Sequence, residues 1–291
     1  MNTFILSDGD LKARVLVPEN THYVRTRFNH AGFVPDVWFG GMKFTQYERN
    51  QNDGFPSTDG CGICCDYDGP GFSAGVNPGE KYLKPGIGII TKGERDIGIC
   101  DWVKYEPLPT RYDALGNKAV FETLSPEVNG YRYAETRTVR LEGDTLYLDC
   151  TLKNTGSKPL AFEEYGHNFL SLGDLEVGPG YRLETPSIPD PAALNSLPLA
   201  YSLQGDKSGF GFKDEVRKSF YVKTEDVCSA PFTWKMTAAG TSASITGKDS
   251  FTPCKIAVWG DYYVLSCEVF IPIRLAPGEQ MSWTRSWTFT R

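Results

Sequence analysis

The sequence lacks several features that mark common classes of protein. Its 291 residues include only three histidines and four methionines, and no block is rich in lysine and arginine. With a net charge of −6, the chain offers no basic surface for a nucleic acid. No apolar run approaches the ~18 residues that a helix needs to cross a bilayer, so no membrane partner is expected. The N-terminus has neither a basic n-region nor a long apolar h-region, which predicts no signal peptide and a cytoplasmic location.

Glycine, proline and aromatic residues are abundant instead. The 30 glycines and 19 prolines predict many turns, and an aromatic content of 13% favours strands over helices. The one helix candidate is short, near Pro191–Leu197. There is no internal repeat and no break in composition. The simplest prediction is therefore an all-β chain in which residues 1–291 form a single domain, a large antiparallel β-sandwich.

A strand near the middle of the sequence carries one of the three histidines. Residues 145–152 alternate between apolar and other side chains, and the segment "KPLAFEEYGHNF" returns after a turn as the next antiparallel strand. If that strand is regular, one of its faces carries Ala161, Glu163, Tyr165 and His167. This face is polar and aromatic, so we expect it to point away from the apolar core.

A second strand, in the segment "VLSCEVFIPI", places a carboxylate on its polar side. Its apolar face consists of Leu265, Cys267, Val269 and Ile271. Glu268 points the opposite way, so a carboxylate and an imidazole both face away from the core on different strands. Taken singly, a histidine or a glutamate in such a position is more commonly an ordinary packed or solvated residue of a strand.

Three segments together resemble the aldose 1-epimerase (galactose mutarotase-like) family. They are "YVRTRFNHAGFVPDVWFGG" from Tyr23, "EYGHNFLSLG" from Glu164 and "SCEVFIPIRLAPGEQMSWTRSWTF" from Ser266. The resemblance implies a supersandwich of β-sheets with an open cleft on one sheet. It also implies that His167 is the general acid and Glu268 the general base, facing each other across a sugar-sized gap. Arg27, rather than Arg25, would contact sugar hydroxyls.

The sequence departs from that family's pattern at two places, which indicates a divergent branch. A second histidine beside a Gly-Gly pair is missing, because His22 and His30 lie too early in the sequence. The aspartate that usually holds two sugar hydroxyls has no clear counterpart, and Asp190 and Asp261 are the candidates.

Three further residues are candidates for contacts with a sugar. Tyr165 shares the expected face of His167, and Trp259 could stack on a sugar ring or belong to the core. Lys84 lies near the end of the Gly-rich stretch that begins near residue 50, and could reach the cleft to bind a hydroxyl or a carboxylate, or lie exposed before a turn. We expect this stretch, residues 50–86, to be an ordered loop that decides specificity.

Two other clusters have simpler interpretations. The segment "CGICC" contains Cys61, Cys64 and Cys65, but the paired downstream ligands of a zinc site are missing, so we expect reduced thiols and no metal. Glu135 and Arg137 lie two residues apart in a strand, which predicts an ion pair on an exposed sheet.

The function that the resemblance implies is interconversion of the anomers of a free sugar or sugar derivative by acid/base catalysis, with no cofactor. The enzyme would then be an isomerase of carbohydrate metabolism, acting as a monomer or a homodimer. Two alternatives stay open. One is a non-catalytic carbohydrate-binding or sensing protein of the same fold, and the other is a different acid/base reaction on a sugar, such as a lyase or a ring-carbon epimerase.

Overall fold

The computed structural model describes residues 3–19, 23–48, 58–68, 71–186, 203–206, 209–225, 227 and 231–291. The helix candidate near Pro191–Leu197 lies outside the described residues, as do His22 and Asp190. Within the described part, the regular structure consists of strands and one 3-10 turn at Gly71–Ser73. No helix in this part is long and apolar enough to cross a membrane.

Twenty-two strands are described. They are β1 (Thr3–Asp8), β2 (Leu11–Leu16), β3 (Asp36–Phe39), β4 (Met42–Lys43), β5 (Gly62–Asp68), β6 (Lys81–Lys84), β7 (Gly88–Thr91), β8 (Tyr105–Pro107), β9 (Thr110–Leu115), β10 (Lys118–Leu124), β11 (Tyr133–Glu142), β12 (Thr145–Asn154), β13 (Leu160–Phe169), β14 (Tyr181–Glu184), β15 (Leu203–Asp206), β16 (Gly209–Phe212), β17 (Phe220–Thr224), β18 (Phe232–Ala238), β19 (Ser244–Asp249), β20 (Lys255–Gly260), β21 (Leu265–Leu275) and β22 (Gln280–Thr290).

These strands form two large sheets and two small ones. The largest sheet has ten strands in the order β15-β16-β14-β18-β19-β22-β12-β11-β10-β9. A five-stranded sheet has the order β17-β20-β21-β13-β5, and the smaller sheets are β1-β2-β3-β4 and β6-β7-β8. The ladders within these sheets are antiparallel, and one extended apolar cluster takes side chains from both large sheets. The prediction of an all-β antiparallel sandwich is confirmed.

Alternating side chains explain why the strands lie where they do. In β12 the residues Leu146, Leu148, Cys150 and Leu152 are buried, as the period-two pattern predicted. In β21 the predicted apolar face is likewise buried in the core. The two strands that carry the predicted catalytic residues, β13 and β21, are direct neighbours in the five-stranded sheet.

Two expectations from the sequence are wrong. The stretch 50–86 is not simply a loop, because it contains β5, which pairs with β13 along its length. Within β5, Ile63, Cys65 and Tyr67 alternate into the core, so the glycines and cysteines around them hide an ordinary strand pattern. The ion pair between Arg137 and Glu135 exists at 2.8 Å, but both side chains are buried inside the sandwich rather than exposed.

Candidate active site

The five-stranded sheet turns two chemically different faces in opposite directions. One face packs on the ten-stranded sheet. The opposite face, called here the site face, carries Tyr165 and His167 from β13, Glu268 from β21, Asp66 from β5 and Trp259 from β20. Because side chains alternate along each strand, residues that are far apart in the sequence share this face. The sequence-based assignment of His167, Tyr165 and Glu268 to one face agrees with this arrangement.

His167 and Glu268 are in direct contact. Nε2 of His167 lies 3.3 Å from Oε1 of Glu268, and each residue is only 2% exposed. The ladder pair Tyr165–Phe270 and the bridge Leu170–Leu265 have one common register, which puts His167 opposite Glu268. The sugar-sized gap expected between these two side chains is therefore wrong, because they project from adjacent strands rather than from opposite walls of a cleft.

Aromatic rings surround the imidazole of His167. The ring of Phe169 stacks on it at 4.4 Å, and the rings of Phe28 and Trp259 each lie 5.2 Å away between centroids. Nδ1 of His167 is buried and has no hydrogen-bond partner among the described residues. The imidazole thus lies in an apolar enclosure in which a charge is costly.

Burial sets the protonation of the pair. It lowers the pKa of His167 well below its usual 6.5, and the nearby positive charge of Arg27 lowers it further. Burial raises the pKa of Glu268 to about 8, although Arg27 acts in the opposite direction. At neutral pH the pair therefore consists of an uncharged imidazole and a protonated carboxyl, which hold one transferable proton between them.

A second polar group adjoins this pair and contains a residue that sequence analysis missed. Nε of Arg27 donates to Oδ2 of Asp66 at 3.0 Å, and the hydroxyl of Tyr165 donates to the same oxygen at 2.9 Å. A nitrogen of Arg27 also donates to the Tyr165 hydroxyl at 3.2 Å. Asp66 was overlooked because it lies in the Cys-rich stretch that was interpreted as a loop. The alternation Cys64, Asp66, Asp68 was the available signal.

The segment 23–31 carries Arg27 and Phe28 over the site face. The backbone N–H of Asn29 donates to the carbonyl of Cys65 at 2.8 Å, which ties the segment to β5. The guanidinium of Arg27 lies 4.7 Å above the ring of Phe28, and Phe28 in turn contacts His167. Arg27 thus lies on the site face with its charge beside the His167–Glu268 pair, and its contact with sugar hydroxyls stays a prediction.

The remaining predicted residues lie around the pair. Trp259 is half-buried and contacts His167, and the charges of Asp66 and Arg27 both act on the ammonium group of Lys84. Tyr221, which sequence analysis did not single out, pairs with Trp259 in register and is 46% exposed. Since the pair itself is buried, these more exposed side chains mark the side of the site that faces solvent.

The cysteine cluster contributes packing and one hydrogen bond. The thiol of Cys64 lies on the site face and donates to the carbonyl of His167 at 3.2 Å. Burial raises the pKa of Cys61 and of Cys65 to about 12, so both thiols are protonated at neutral pH. In the described part of the chain, no three side chains of His, Cys, Asp or Glu are grouped so that they could hold a metal ion.

His30 and Asp261 make contacts away from the pair. Nε2 of His30 lies 3.0 Å from the carbonyl of Arg25, and Asp261 accepts a hydrogen bond from the backbone of Tyr263. His30 also borders a cavity of about 1150 Å³ whose lining includes neither His167 nor Glu268. These contacts of His30 and Asp261 do not involve the His167–Glu268 pair.

Comparison with solved structures identifies the fold of this chain. No protein-family model matches the sequence, and no curated protein matches it. Among solved structures, the chain is similar to a galactose mutarotase-like protein from Lactobacillus casei, with a TM-score of 0.59 and 10% identity over 99% of this chain and 100% of that one. A galactose mutarotase-like protein from Clostridium acetobutylicum gives a TM-score of 0.58 at 10% identity, over 99% and 95% of the two chains. An aldose epimerase homologue from C. elegans gives 0.55 at 10% identity, over 100% and 99%. The chain therefore has the galactose mutarotase-like fold.

Proposed function

We propose that this protein is a cofactor-free isomerase that interconverts the anomers of a free sugar or sugar derivative. One observation carries the proposal, namely the buried imidazole of His167 at 3.3 Å from the carboxyl of Glu268 on the site face of this fold. The pair supplies a proton donor and a proton acceptor side by side, which is what the reaction needs.

The close approach of the two groups suits the anomeric centre. The ring oxygen and the hydroxyl oxygen of a hemiacetal are bonded to the same carbon, so an acid and a base need not lie on opposite sides of the sugar. In ring opening, the base takes the proton of the C1 hydroxyl while the acid gives a proton to the ring oxygen. The bond from C1 to the ring oxygen breaks and a C1 carbonyl forms. After rotation about the C1–C2 bond, both proton transfers reverse and the ring closes on the other face of the carbonyl.

The protonation of the pair indicates which residue is the acid. Because burial keeps the proton on Glu268 and leaves His167 neutral, Glu268 would donate to the ring oxygen and His167 would accept from the C1 hydroxyl. This is the reverse of the roles implied by the family resemblance. Nδ1 of His167, which has no partner among the described residues, is a nitrogen available to a substrate hydroxyl.

The neighbouring residues would bind the rest of the sugar. Arg27 and Asp66 present a donor and an acceptor for hydroxyl groups, held in place by Tyr165. Trp259 offers an aromatic face on the more exposed side of the site. The proposal includes a cytoplasmic location, and the buried cysteines, which pack as small apolar side chains, are in keeping with it.

Anomer exchange measured by NMR or polarimetry tests the proposal. We expect His167→Ala and Glu268→Gln each to lower the enzyme-dependent rate by about 10²- to 10⁴-fold, the usual contribution of one positioned acid or base. The matched control is Glu142→Gln, at the exposed end of β11, which should keep the wild-type rate. Full activity in either site variant would refute the assignment.

A non-catalytic sugar-binding protein is the second candidate, and one observation favours it. The His167–Glu268 pair is closed on itself and almost fully buried, as a purely structural contact would be. Saturation-transfer NMR separates the two functions, because a binding protein would show sugar contacts without any exchange between anomers. The same samples in deuterated water test for a lyase or ring-carbon epimerase, since anomerisation alone leaves every C–H bond intact.

A further inference from the structure

Beside the His167–Glu268 pair, two cations lie within electrostatic range of one carboxylate, and one of them is paired with it. Arg27 is paired with Asp66 at 3.0 Å. The charges of Asp66 and Arg27 also act on the ammonium of Lys84. This ammonium forms no ion pair with any described residue. Among the described residues, one positive charge in this corner of the site therefore has no acidic partner of its own.

The ammonium of Lys84 lies in a partly buried position at the end of β6. Burial removes part of the hydration of the ammonium and so lowers the pKa of Lys84. A charge in such a position is stabilised when an opposite charge is brought to it.

Backbone contacts hold Lys84 in a fixed position relative to Arg27. The turn after Lys84 closes through a hydrogen bond from the N–H of Ile87 to the Lys84 carbonyl at 3.3 Å. The N–H of His30 donates to the carbonyl of Gly86 at 3.0 Å, and this joins the turn to the segment that carries Arg27.

Gly86 makes this junction possible. Its φ of +71° suits glycine, and a Cβ at this position would lie 2.6 Å from the side chain of Asn29. The N–H of Gly86 also donates to the hydroxyl of Tyr133 at 2.8 Å, which anchors the turn to β11. Since Asn29 is bonded to β5 as well, the turn, the segment 23–31 and β5 form one braced unit.

We propose that Lys84, assisted by Arg27, binds an anionic group on the sugar, so that the substrate is an acidic sugar rather than a neutral one. The shared chemistry is a carboxylate or a phosphate attached to the ring or its exocyclic carbon. The inference rests on the proposed function, because it describes the substrate of the same site. It goes beyond that function in naming the charge of the substrate and the residue that selects it.

The test compares three probes that share one ring, namely glucose, glucuronate and glucose 6-phosphate. Anomer exchange and binding are measured by NMR for the wild type, for Lys84→Gln and for Lys81→Gln. Lys81 is the matched control because it lies on the same strand β6, is exposed and pairs with Glu106.

For the wild type we expect kcat/KM for at least one acidic probe to exceed that for glucose by about tenfold or more, as expected from a hydrogen bond to a charged group. Lys84→Gln should abolish this preference mainly through KM, and Lys81→Gln should keep it. Whichever of glucuronate and glucose 6-phosphate shows the larger preference identifies the anion as a carboxylate or a phosphate.

Other outcomes separate this inference from the proposed function. If glucose is anomerised as well as both acidic probes, or if Lys84→Gln keeps the preference, the inference is wrong while the isomerase stands. If no probe is anomerised but an acidic probe binds and loses affinity in Lys84→Gln, the inference stands and the isomerase is wrong. If the wild type binds neither acidic probe, the inference is wrong.

Discussion

The two faces of the five-stranded sheet both bury ionisable side chains, but they stabilise them in different ways. On the interior face, buried charges are paired with opposite charges. There Glu164 meets a polar group on the facing ten-stranded sheet, which consists of Glu135, Arg137, Asp249 and Arg285. The site face instead keeps its central pair, His167 and Glu268, uncharged at neutral pH and places the Arg27–Asp66 ion pair beside it.

The interior group is a connected set of ion pairs. Arg285 lies 2.7 Å from Asp249 and 3.3 Å from Glu164, and Glu164 also lies 3.9 Å from Arg137. Loss of one member would leave a buried charge with too few partners. Removal of one partner from a buried ion pair strongly destabilises the folded protein.

The difference indicates which group is built for chemistry. A network of fixed opposite charges offers no proton at neutral pH, because transfer would separate charges that stabilise each other. The neutral pair on the site face holds a proton that moves without creating a large net charge. The two groups, both buried and on opposite sides of the five-stranded sheet, therefore differ in whether they hold a mobile proton at neutral pH.

Replacing one glutamate with glutamine on each face should reveal the largest difference in stability between the two faces. We expect Glu164→Gln to lower the free energy of unfolding by about 3–5 kcal/mol, because it removes the negative charge between two buried arginines. Glu268→Gln should cause no loss at pH 7, because the wild-type carboxyl is neutral in the folded protein but ionised in the unfolded chain, so only the wild type bears the cost of keeping this proton. Urea unfolding at pH 7 measures both values, and equal losses would contradict the difference between the faces.

Stability should also depend on pH through Glu268. Its pKa in the folded protein is about 8, against 4.5 for an unperturbed glutamate, so the folded state retains a proton that the unfolded chain releases. The stability from this group is complete below about pH 4.5 and is lost as the pH rises through about 8. We expect the wild type to lose up to about 1.4 kcal/mol per pH unit relative to Glu268→Gln within this window. A constant difference between the two proteins from pH 5 to pH 8 would contradict the raised pKa.

The pH profile of anomerisation should report the same proton. With Glu268 as the acid, kcat/KM should fall about tenfold per pH unit above pH 8. The acidic limb should lie well below pH 6.5, because the pKa of His167 is lowered and the base stays unprotonated there. A rate that drops near pH 6.5 would instead show that His167 has an ordinary pKa.

A matched pair of tyrosines should give the smallest effect. Tyr165→Phe removes a hydroxyl that donates to Asp66 and accepts from Arg27, while the stacking on Phe270 remains. We expect a loss of about 1–2 kcal/mol in the free energy of unfolding, because the Arg27–Asp66 contact persists.

On the interior face, Tyr67→Phe should cost more than Tyr165→Phe. The Tyr67 hydroxyl donates to Glu135 at 2.8 Å and accepts from both Arg137 and Asn29. Thermal unfolding of the two variants side by side gives the comparison, and a larger loss for Tyr165→Phe would contradict it.

Local alternation was enough to predict which side chains share a face. It placed His167 with Tyr165 on one side of β13, and Glu268 opposite the apolar face of β21, as the structure does. It could not predict that β13 and β21 are adjacent, since that pairing joins residues about a hundred positions apart and depends on the whole sheet. The expectation of a wide gap between the two residues failed for this reason.

Local sequence patterns also could not predict which charged side chains are buried. Glu135 and Arg137 have the alternation of an exposed strand, and only the packing of one sheet on the other encloses them. Asp66 was missed because glycines and cysteines around it resemble a loop, although every second residue of β5 enters the core.

Strand β13 has charged or titratable side chains on both of its faces, with Glu164 on the inside and His167 on the outside. A shift of one residue against its neighbours would exchange these sides and deprive Arg285 of one of its two carboxylate partners. Pairing of β13 with its neighbours in a shifted register is therefore destabilised by electrostatics, in addition to any effect of the apolar core. Insertion or deletion of a single residue within this strand should be far less well tolerated than a change of length in the turn that precedes it.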